Sequence, residues 1–92
     1  MRVILSRKAE LDFEAQVRWL NQHSPTVGRS AALRIVEALD LLSDFPDAGT
    51  VVRPGVREKP VRFGRDGFMI QYRRSGRTLI VQRIFHGRQD RS

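Results

Sequence analysis

The sequence predicts one α+β domain, residues 1–92, with the element order β-α-α-β-β-β. Three observations support this fold class. A short β-branched strand comes first, two segments then repeat apolar residues at helical spacing, and the second half alternates apolar with basic residues. We therefore expect a helical hairpin packed on one face of a small, mostly antiparallel, four-stranded sheet.

The first half of the chain contains the first strand and both helices. Residues 2–5 include β-branched side chains that favour a strand, and Ser6 can cap the helix that follows. Ser24-Pro25 provides an N-cap and a proline at the first position of a second helix. The apolar stripe of this second helix is expected to end at Phe45-Pro46, because the residue before a proline disfavours helical geometry.

The second half contains a loop and a three-stranded meander. Residues 46–55 hold two prolines and two glycines, so we expect a loop there. The period then becomes alternating, which predicts strands at residues 56–63, 68–72 and 78–85, joined by glycine-containing turns. The last strand is the most apolar of the three and is therefore expected to lie centrally in the sheet.

The positive charge is confined to the second half. Residues 1–52 hold 6 Lys/Arg and 7 Asp/Glu, a net of −1, whereas residues 53–92 hold 11 and 3, a net of +8, and the sum is +7. This asymmetry indicates a polyanionic or acidic partner, with nucleic acid, an acidic protein and an anionic membrane surface as the options. The alternative is an ordinary solvated surface that is rich in arginine.

One face of the predicted sheet is covered by the helices, so the basic residues of the meander are expected on the open face, its turns and its rim. These candidate binding residues are Arg57, Lys59, Arg62, Arg65, Arg73, Arg77, Arg83 and Arg88.

Several classes of protein are disfavoured by what the sequence lacks. It has no cysteine, no apolar run near the roughly 20 residues that span a bilayer, and no apolar signal-peptide centre in its first ten residues. It also has no cluster with metal-ligand spacing, no glycine-rich phosphate loop before a helix and no Ser/His/Asp set. We expect a cytoplasmic protein that uses no cofactor and no metal and binds no membrane.

His86 is the main candidate for acid–base chemistry, because histidine titrates near neutrality. The alternative is that His86 ends a strand and forms a hydrogen bond with a backbone group. Glu58 is the one carboxylate of its strand and is either a base or the partner of an arginine. The candidate phosphate ligands near these residues are Arg57, Lys59, Arg62 and Arg83, and the alternative is a solvated basic strand.

Six segments, in order, match a known pattern. They are Ala9-Glu10-Leu11-Asp12-Phe13, Arg18-Trp19-Leu20, Asn21-Gln22-His23-Ser24-Pro25, the stretch from Leu41 to Gly49, the hairpin from Val61 to Arg73, and Ile84-Phe85-His86-Gly87-Arg88-Gln89-Asp90. Together they resemble the RelE/ParE superfamily of bacterial toxins, the toxic halves of type II toxin–antitoxin pairs. The resemblance covers nearly the whole chain.

The resemblance implies one of two activities. RelE-like toxins are endoribonucleases that cut mRNA in the ribosome, for which this chain would use Arg57, Lys59, Arg62, Arg83 and His86 as catalytic residues. ParE-like toxins poison DNA gyrase and are not known as nucleases. The chain departs from the RelE pattern in having no tyrosine after Tyr72, and arginine stays protonated and is a poor general base. We therefore favour the ParE-like, non-enzymatic reading.

Both branches imply a cognate antitoxin, ParD-like or similar, in a hetero-oligomeric complex. An acidic, partly disordered antitoxin segment that folds on binding suits a basic sheet and an amphipathic helical hairpin. A basic nucleic-acid-binding module without a toxic role is the remote alternative.

Overall fold

The computed structural model describes residues 1–88, in which two helices pack on a mixed five-stranded sheet. The elements are β1 (Arg2–Leu5), α1 (Arg7–His23), α2 (Pro25–Asp44), β2 (Thr50–Arg53), β3 (Val56–Val61), β4 (Phe68–Ser75) and β5 (Thr78–His86). The strand order is β1-β5-β4-β3-β2, with β1 parallel to β5 and every other pair antiparallel. The predicted α+β class and the helical hairpin are confirmed. The last strand, β5, was expected at the centre of the sheet but lies between β1 and β4, and β4 is the central strand because β2 adds a fifth strand at the far edge.

The predicted count of four strands is wrong, because β2 lies inside the segment that was expected to be a loop. Its four residues pair with β3, with Thr50 opposite Glu58 and Val51 opposite Arg57. Pro54-Gly55 forms the tight turn between the two strands, and Gly55 has a φ of 77° that suits glycine. All four β2 residues are exposed, so the sequence has no buried-exposed alternation there that would indicate a strand.

Local capping determines where the helices begin, as the sequence predicts. The Ser6 hydroxyl accepts a hydrogen bond from the Ala9 N–H at 3.1 Å, and Ser24 accepts one from Val27 at 3.4 Å. These side chains satisfy backbone donors that have no partner inside the helix. No helix within residues 1–88 is long and apolar enough to cross a membrane.

The core lies between the inner faces of the two helices and the face of the sheet that they cover. It is formed by fully buried side chains of both layers: Ala9, Ala31, Ile35 and Leu42 from the helices, and Ile70, Leu79, Val81 and Ile84 from β4 and β5. The helices therefore occupy one face of the sheet, and the opposite face is built from strand side chains alone.

Tyr72 fixes the loop between α2 and β2. Its buried hydroxyl donates to the Pro46 carbonyl at 2.8 Å and accepts from the Gly49 N–H, also at 2.8 Å. Gly49 is required at this contact, because a Cβ there would lie 2.6 Å from the Tyr72 hydroxyl. Burial raises the pKa of Tyr72 above its ordinary value of 10.0, although the hydrogen bond from Gly49 acts in the opposite direction.

Replacing Tyr72 with phenylalanine is expected to lower the free energy of unfolding by about 1–3 kcal/mol, because a backbone donor and acceptor lose their partner. The raised pKa means that the wild-type phenol contributes stability that is complete below pH 10.0 and is lost as the pH rises through the folded-state pKa. Urea unfolding at neutral and alkaline pH measures both effects. A variant as stable as the wild type at neutral pH would contradict the assigned role.

Candidate functional site

The register of β3 and β4 shows which basic residues share a face of the sheet. Ile70 and Tyr72 of β4 point into the core, and their partners across the ladder are Lys59 and Arg57. Because paired residues lie on the same face, these two cations are on the helix side and not on the open face. The expectation that all the meander cations gather on the open face, its turns and its rim is therefore wrong for Arg57 and Lys59.

Arg57 is occupied by the loop that precedes β2. Its guanidinium donates to the Gly49 carbonyl at 2.8 Å and to the Asp47 carbonyl at 3.3 Å, and it lies 3.8 Å from the Asp47 carboxylate. These contacts give Arg57 a structural role next to the loop that Tyr72 fixes.

The open face carries a polar pair at its centre. Glu58 and Gln71 are opposite each other in the register, and the Gln71 amide donates to the Glu58 carboxylate at 3.1 Å. Arg73 follows on the same face of β4 and is exposed. The contact that the structure gives Glu58 is thus with the amide of Gln71 on the neighbouring strand, where an arginine partner was expected.

The free edge of β5 is closed by polar side chains of α1. β1 pairs with β5 only as far as Val81, so the backbone groups of the remaining residues need other partners. Asp12 accepts a hydrogen bond from the Ile84 N–H at 2.9 Å, and Gln16 donates to the Ile84 carbonyl at 2.6 Å. Ser6 donates to the Gln82 carbonyl at 3.0 Å. These side chains take the place of a neighbouring strand.

Arg83 is held at the same edge by Asp12. The two side chains form a bidentate pair, with Nε to Oδ2 at 2.7 Å and Nη2 to Oδ1 at 3.0 Å. The guanidinium also lies 4.7 Å from the centre of the Phe85 ring. The hydrogen bond with Asp12 raises the pKa of Arg83. Because Asp12 belongs to α1 and Arg83 to β5, this pair fastens the helix to the sheet.

Asp12, the partner of Arg83, was not among the residues predicted from the sequence to form the site. The only local signal was the spacing of Asp12 and Gln16, two polar residues one helical turn apart beside the apolar stripe.

The His-Gly-Arg motif joins the end of β5 to the turn between β3 and β4. Gly87 donates to the Gly67 carbonyl at 2.9 Å, and Arg88 forms an ion pair with Asp66 at 2.8 Å. A Cβ on Gly87 would lie 1.9 Å from the Asp66 carbonyl oxygen, so only glycine fits. We call residues 86–88 and their contacts with residues 66–67 the clasp. Gln89 and Asp90, the end of the predicted motif, lie outside the described residues.

His86 sits at the start of the clasp. Its Nδ1 accepts a hydrogen bond from the Arg88 N–H at 3.2 Å, and its ring meets Phe68 edge to face at a centroid distance of 6.3 Å. This geometry matches the expectation that His86 ends a strand and bonds a backbone group. Its ring remains exposed.

Two cavities flank the turn between β3 and β4. The first, of about 450 Å³, is lined by Arg62, Arg65 and His86, together with Met69. Arg57, Lys59 and Arg83 do not line it, so only two of the five nuclease candidates share this cavity. No group of three or more histidine, cysteine, aspartate or glutamate residues within residues 1–88 is placed to hold a metal ion.

The second cavity is an apolar groove of about 540 Å³ between the helices and the same turn. Its walls are built mainly from aromatic and aliphatic side chains: Ala15, Trp19, Leu20, Val27, Phe63 and Phe68. Trp19 is 58% exposed and packs against His23 at a centroid distance of 4.2 Å. Arg65, Asp66 and His86 also line this groove, which gives an apolar trough a polar end.

The remaining cations of the predicted binding set are at turns and strand ends. Arg65 and Arg77 lie in turns and are exposed, and Arg88 is engaged with Asp66. Within residues 1–88 the basic side chains are thus spread over the open face, the turns and the loop before β2, and do not gather around one point.

Known proteins share this arrangement over almost their whole length. A structure described as the chromosomal ParDE toxin–antitoxin system from P. aeruginosa superposes with a TM-score of 0.73 and 27% identity, covering 94% of this chain and 95% of that one. The toxin RelE1 of Caulobacter vibrioides is 34% identical over 89 residues, which are 97% of this chain and 96% of that protein. The toxin RelE3 of the same organism is 29% identical over 89 residues, with 97% of each chain covered.

The fold and these similarities define a toxin of the RelE/ParE superfamily. A family model described as the ParE toxin of the type II toxin–antitoxin system parDE matches residues 3–91. The chain belongs to this family. Membership of a toxin–antitoxin family makes an antitoxin protein its partner.

Proposed function

We propose that this chain is a ParE-like toxin that inhibits DNA gyrase without cleaving nucleic acid, acts in the cytoplasm, and is neutralised by a cognate antitoxin. The observation that carries the proposal is the engagement of the candidate catalytic cations. Arg83 forms its bidentate pair with Asp12, and Arg57 donates to the carbonyls of the loop before β2. Phosphate chemistry needs several cations around one reacting group, and three of the five candidates do not line the cavity beside His86.

The geometry of His86 also supports a non-enzymatic role. Cleavage of RNA through its 2′-hydroxyl needs one group that removes a proton and one that supplies it. Arginine stays protonated and cannot remove a proton. The Nδ1 of His86 already accepts the Arg88 N–H, so this nitrogen is not available to remove one.

The apolar groove supports binding of the antitoxin. An exposed tryptophan on a trough of about 540 Å³ fits an amphipathic segment that lays its apolar side chains between the helices and the turn. The exposed cations of the turns, Arg65 and Arg77, favour acidic residues in that segment. The resulting toxin–antitoxin complex would cover Trp19 and mask the exposed cations.

Purified toxin added to gyrase and supercoiled plasmid is expected to accumulate broken DNA that is covalently attached to gyrase, with loss of supercoiling activity. Preincubation with the antitoxin is the control and is expected to prevent both effects. Full supercoiling activity at a large molar excess of folded toxin would exclude gyrase as the target.

A RelE-like endoribonuclease is the second candidate, and one observation favours it. Arg62, Arg65 and His86 line the same cavity of about 450 Å³, which places two cations and an imidazole around one space. Expression of the toxin would then cut mRNA in translating cells, and His86→Gln would reduce that cleavage by roughly 10²–10⁴-fold. The gyrase proposal expects intact mRNA and a His86→Gln variant that remains toxic.

A further inference from the structure

The pairing of β2, β3 and β4 places two arginines on the open face of the sheet. Arg53 pairs with Val56, and Val56 pairs with Arg73. Paired residues share a face, and Tyr72, the neighbour of Arg73 on β4, points into the core. Arg53 and Arg73 therefore both lie on the open face, two strand spacings apart, which is about 10 Å.

The other side of the sheet adds a third arginine. Arg73 pairs with Ile80 of β5, and Ile80 pairs with Ile4 of β1. Arg2 lies two residues before Ile4 and hence on the same face. We call Arg2, Arg53 and Arg73 the arginine row, which spans roughly 20 Å across all five strands.

The side chains of the arginine row are available to a ligand. All three residues are exposed, and none of their guanidinium groups forms an ion pair or a hydrogen bond with residues 1–88. Arg57 and Arg83, in contrast, are held by other parts of the fold. Arg2 and Arg53 were not among the binding residues predicted from the sequence, because only the strand register brings them onto one face with Arg73.

Nearby acidic residues leave the arginine row with an excess of positive charge. Glu58 lies one step further along β3 on the same face, where it accepts a hydrogen bond from the Gln71 amide. Asp47 belongs to the loop on the helix side and is paired with two other arginines, at 3.8 and 3.7 Å. The turn after β4 adds the exposed Arg77 at this end of the sheet. Such a surface attracts a polyanion.

The chemistry and the length of the arginine row fit the backbone of a nucleic-acid duplex. A guanidinium group binds phosphate through two parallel hydrogen bonds. A duplex repeats its phosphates about every 3.4 Å along each strand, so a row of roughly 20 Å faces about six base pairs. Single strands are commonly held by aromatic rings that stack on their bases. The row has no such ring, and Tyr72 is buried on the opposite face of β4.

An acidic protein segment fits the arginine row less well than a duplex does. Protein partners bind mainly through apolar or aromatic anchors that fill pockets. The apolar groove with Trp19 and Phe63 lies at the opposite end of the sheet, beside the clasp. The row itself offers charge along a line, which is the pattern that a phosphate backbone matches.

We propose that the arginine row binds the phosphate backbone of duplex DNA without reading its sequence. Phosphate contacts position a protein on a duplex and carry no sequence information. The choice of DNA over duplex RNA rests on the proposed function, because gyrase acts on DNA and the row would hold the toxin there. The binding itself is measured on DNA without gyrase, so the two proposals can fail separately.

The test measures the binding of the purified chain to a labelled DNA duplex of roughly 20 base pairs, by fluorescence anisotropy at several salt concentrations. Arg53→Gln/Arg73→Gln removes two charges from the arginine row. Arg29→Gln/Arg34→Gln is the matched control, because it removes the same charge from exposed residues of α2 that have no partner among residues 1–88. We expect the row variant to bind at least about tenfold more weakly than the control. The slope of log affinity against log salt concentration is expected to be smaller by about 2.

Amide resonances of the wild type locate the contact, and they do so whether or not the row variant folds. The amides of Arg2, Arg53 and Arg73 are expected to be among those that shift most when the duplex is added. A row variant that binds as tightly as the α2 control, or shifts confined to the clasp, would overturn the proposal. Displacement of the duplex by polyglutamate at an equal concentration of charge, or tighter binding of a single strand or of duplex RNA, would overturn it by assigning the row to a different partner. DNA binding by the row in a toxin that leaves gyrase active would support this proposal and contradict only the proposed function.

Discussion

Replacing Asp12 with alanine is expected to lower the free energy of unfolding by about 2–4 kcal/mol, because one side chain serves both the Arg83 guanidinium and the Ile84 N–H. The pair is mostly shielded from water, with side-chain exposures of 24% for Arg83 and 14% for Asp12. Removal of the carboxylate leaves a partly buried charge and a strand N–H without their acceptor.

Two further variants separate these contributions in urea unfolding experiments followed by Trp19 fluorescence. Asp12→Asn retains an oxygen that can accept the Ile84 N–H and is expected to lose less stability than Asp12→Ala. Glu14→Ala removes an exposed carboxylate from the same helix and is expected to change stability by less than about 0.5 kcal/mol. If Asp12→Ala is no less stable than Glu14→Ala, the proposed closure of the β5 edge is incorrect.

Replacing Gly87 with alanine is expected to destabilise the protein by about 2–4 kcal/mol, because the new Cβ would lie 1.9 Å from the Asp66 carbonyl oxygen. The obstacle is backbone and not a movable side chain, so residues 86–88 must shift away from the turn. That shift breaks the Gly87 hydrogen bond to Gly67 and the Arg88 ion pair with Asp66.

Gly76→Ala is the control for the loss of a glycine as such. Gly76 has a φ of 59° and open space around it, so the substitution costs only the strain of a left-handed residue, about 1–2 kcal/mol. Thermal unfolding measures both variants, and hydrogen exchange at Gly87 shows whether the clasp has opened. Equal destabilisation by the two substitutions would argue against a steric role for Gly87.

Local signals in the sequence predict the helices better than the sheet. Ser6 and Ser24-Pro25 mark helix starts through contacts within three residues, so their effect can be seen in a short stretch of sequence. β2 was missed because a four-residue edge strand with all side chains exposed has no alternation. Its pairing with β3 depends on the turn at Pro54-Gly55, and the sequence indicates these two residues only as part of a loop.

The candidate site shows a different limit of sequence reasoning. Alternation predicts that a strand has two faces but does not say which one the helices cover, so Arg57 and Lys59 were assigned to the wrong side. His86 and Arg83 were singled out as candidates by their residue types and their place near the end of a strand. Their partners, Phe68 and Asp12, are distant in the sequence, and Asp12 and Arg83 of the ion pair are separated by 71 in residue number.

The parallel pairing of the first and last strands has a consequence for synthesis on the ribosome. Arg2 pairs with Thr78 and Leu5 pairs with Val81, so β1 has no partner until nearly all of the described chain has been translated. Both helices can form earlier from local contacts, but the sheet on which they pack requires this late, non-local step. A growing chain is therefore expected to lack its complete sheet until residues 78–81 have left the ribosome and can pair with β1.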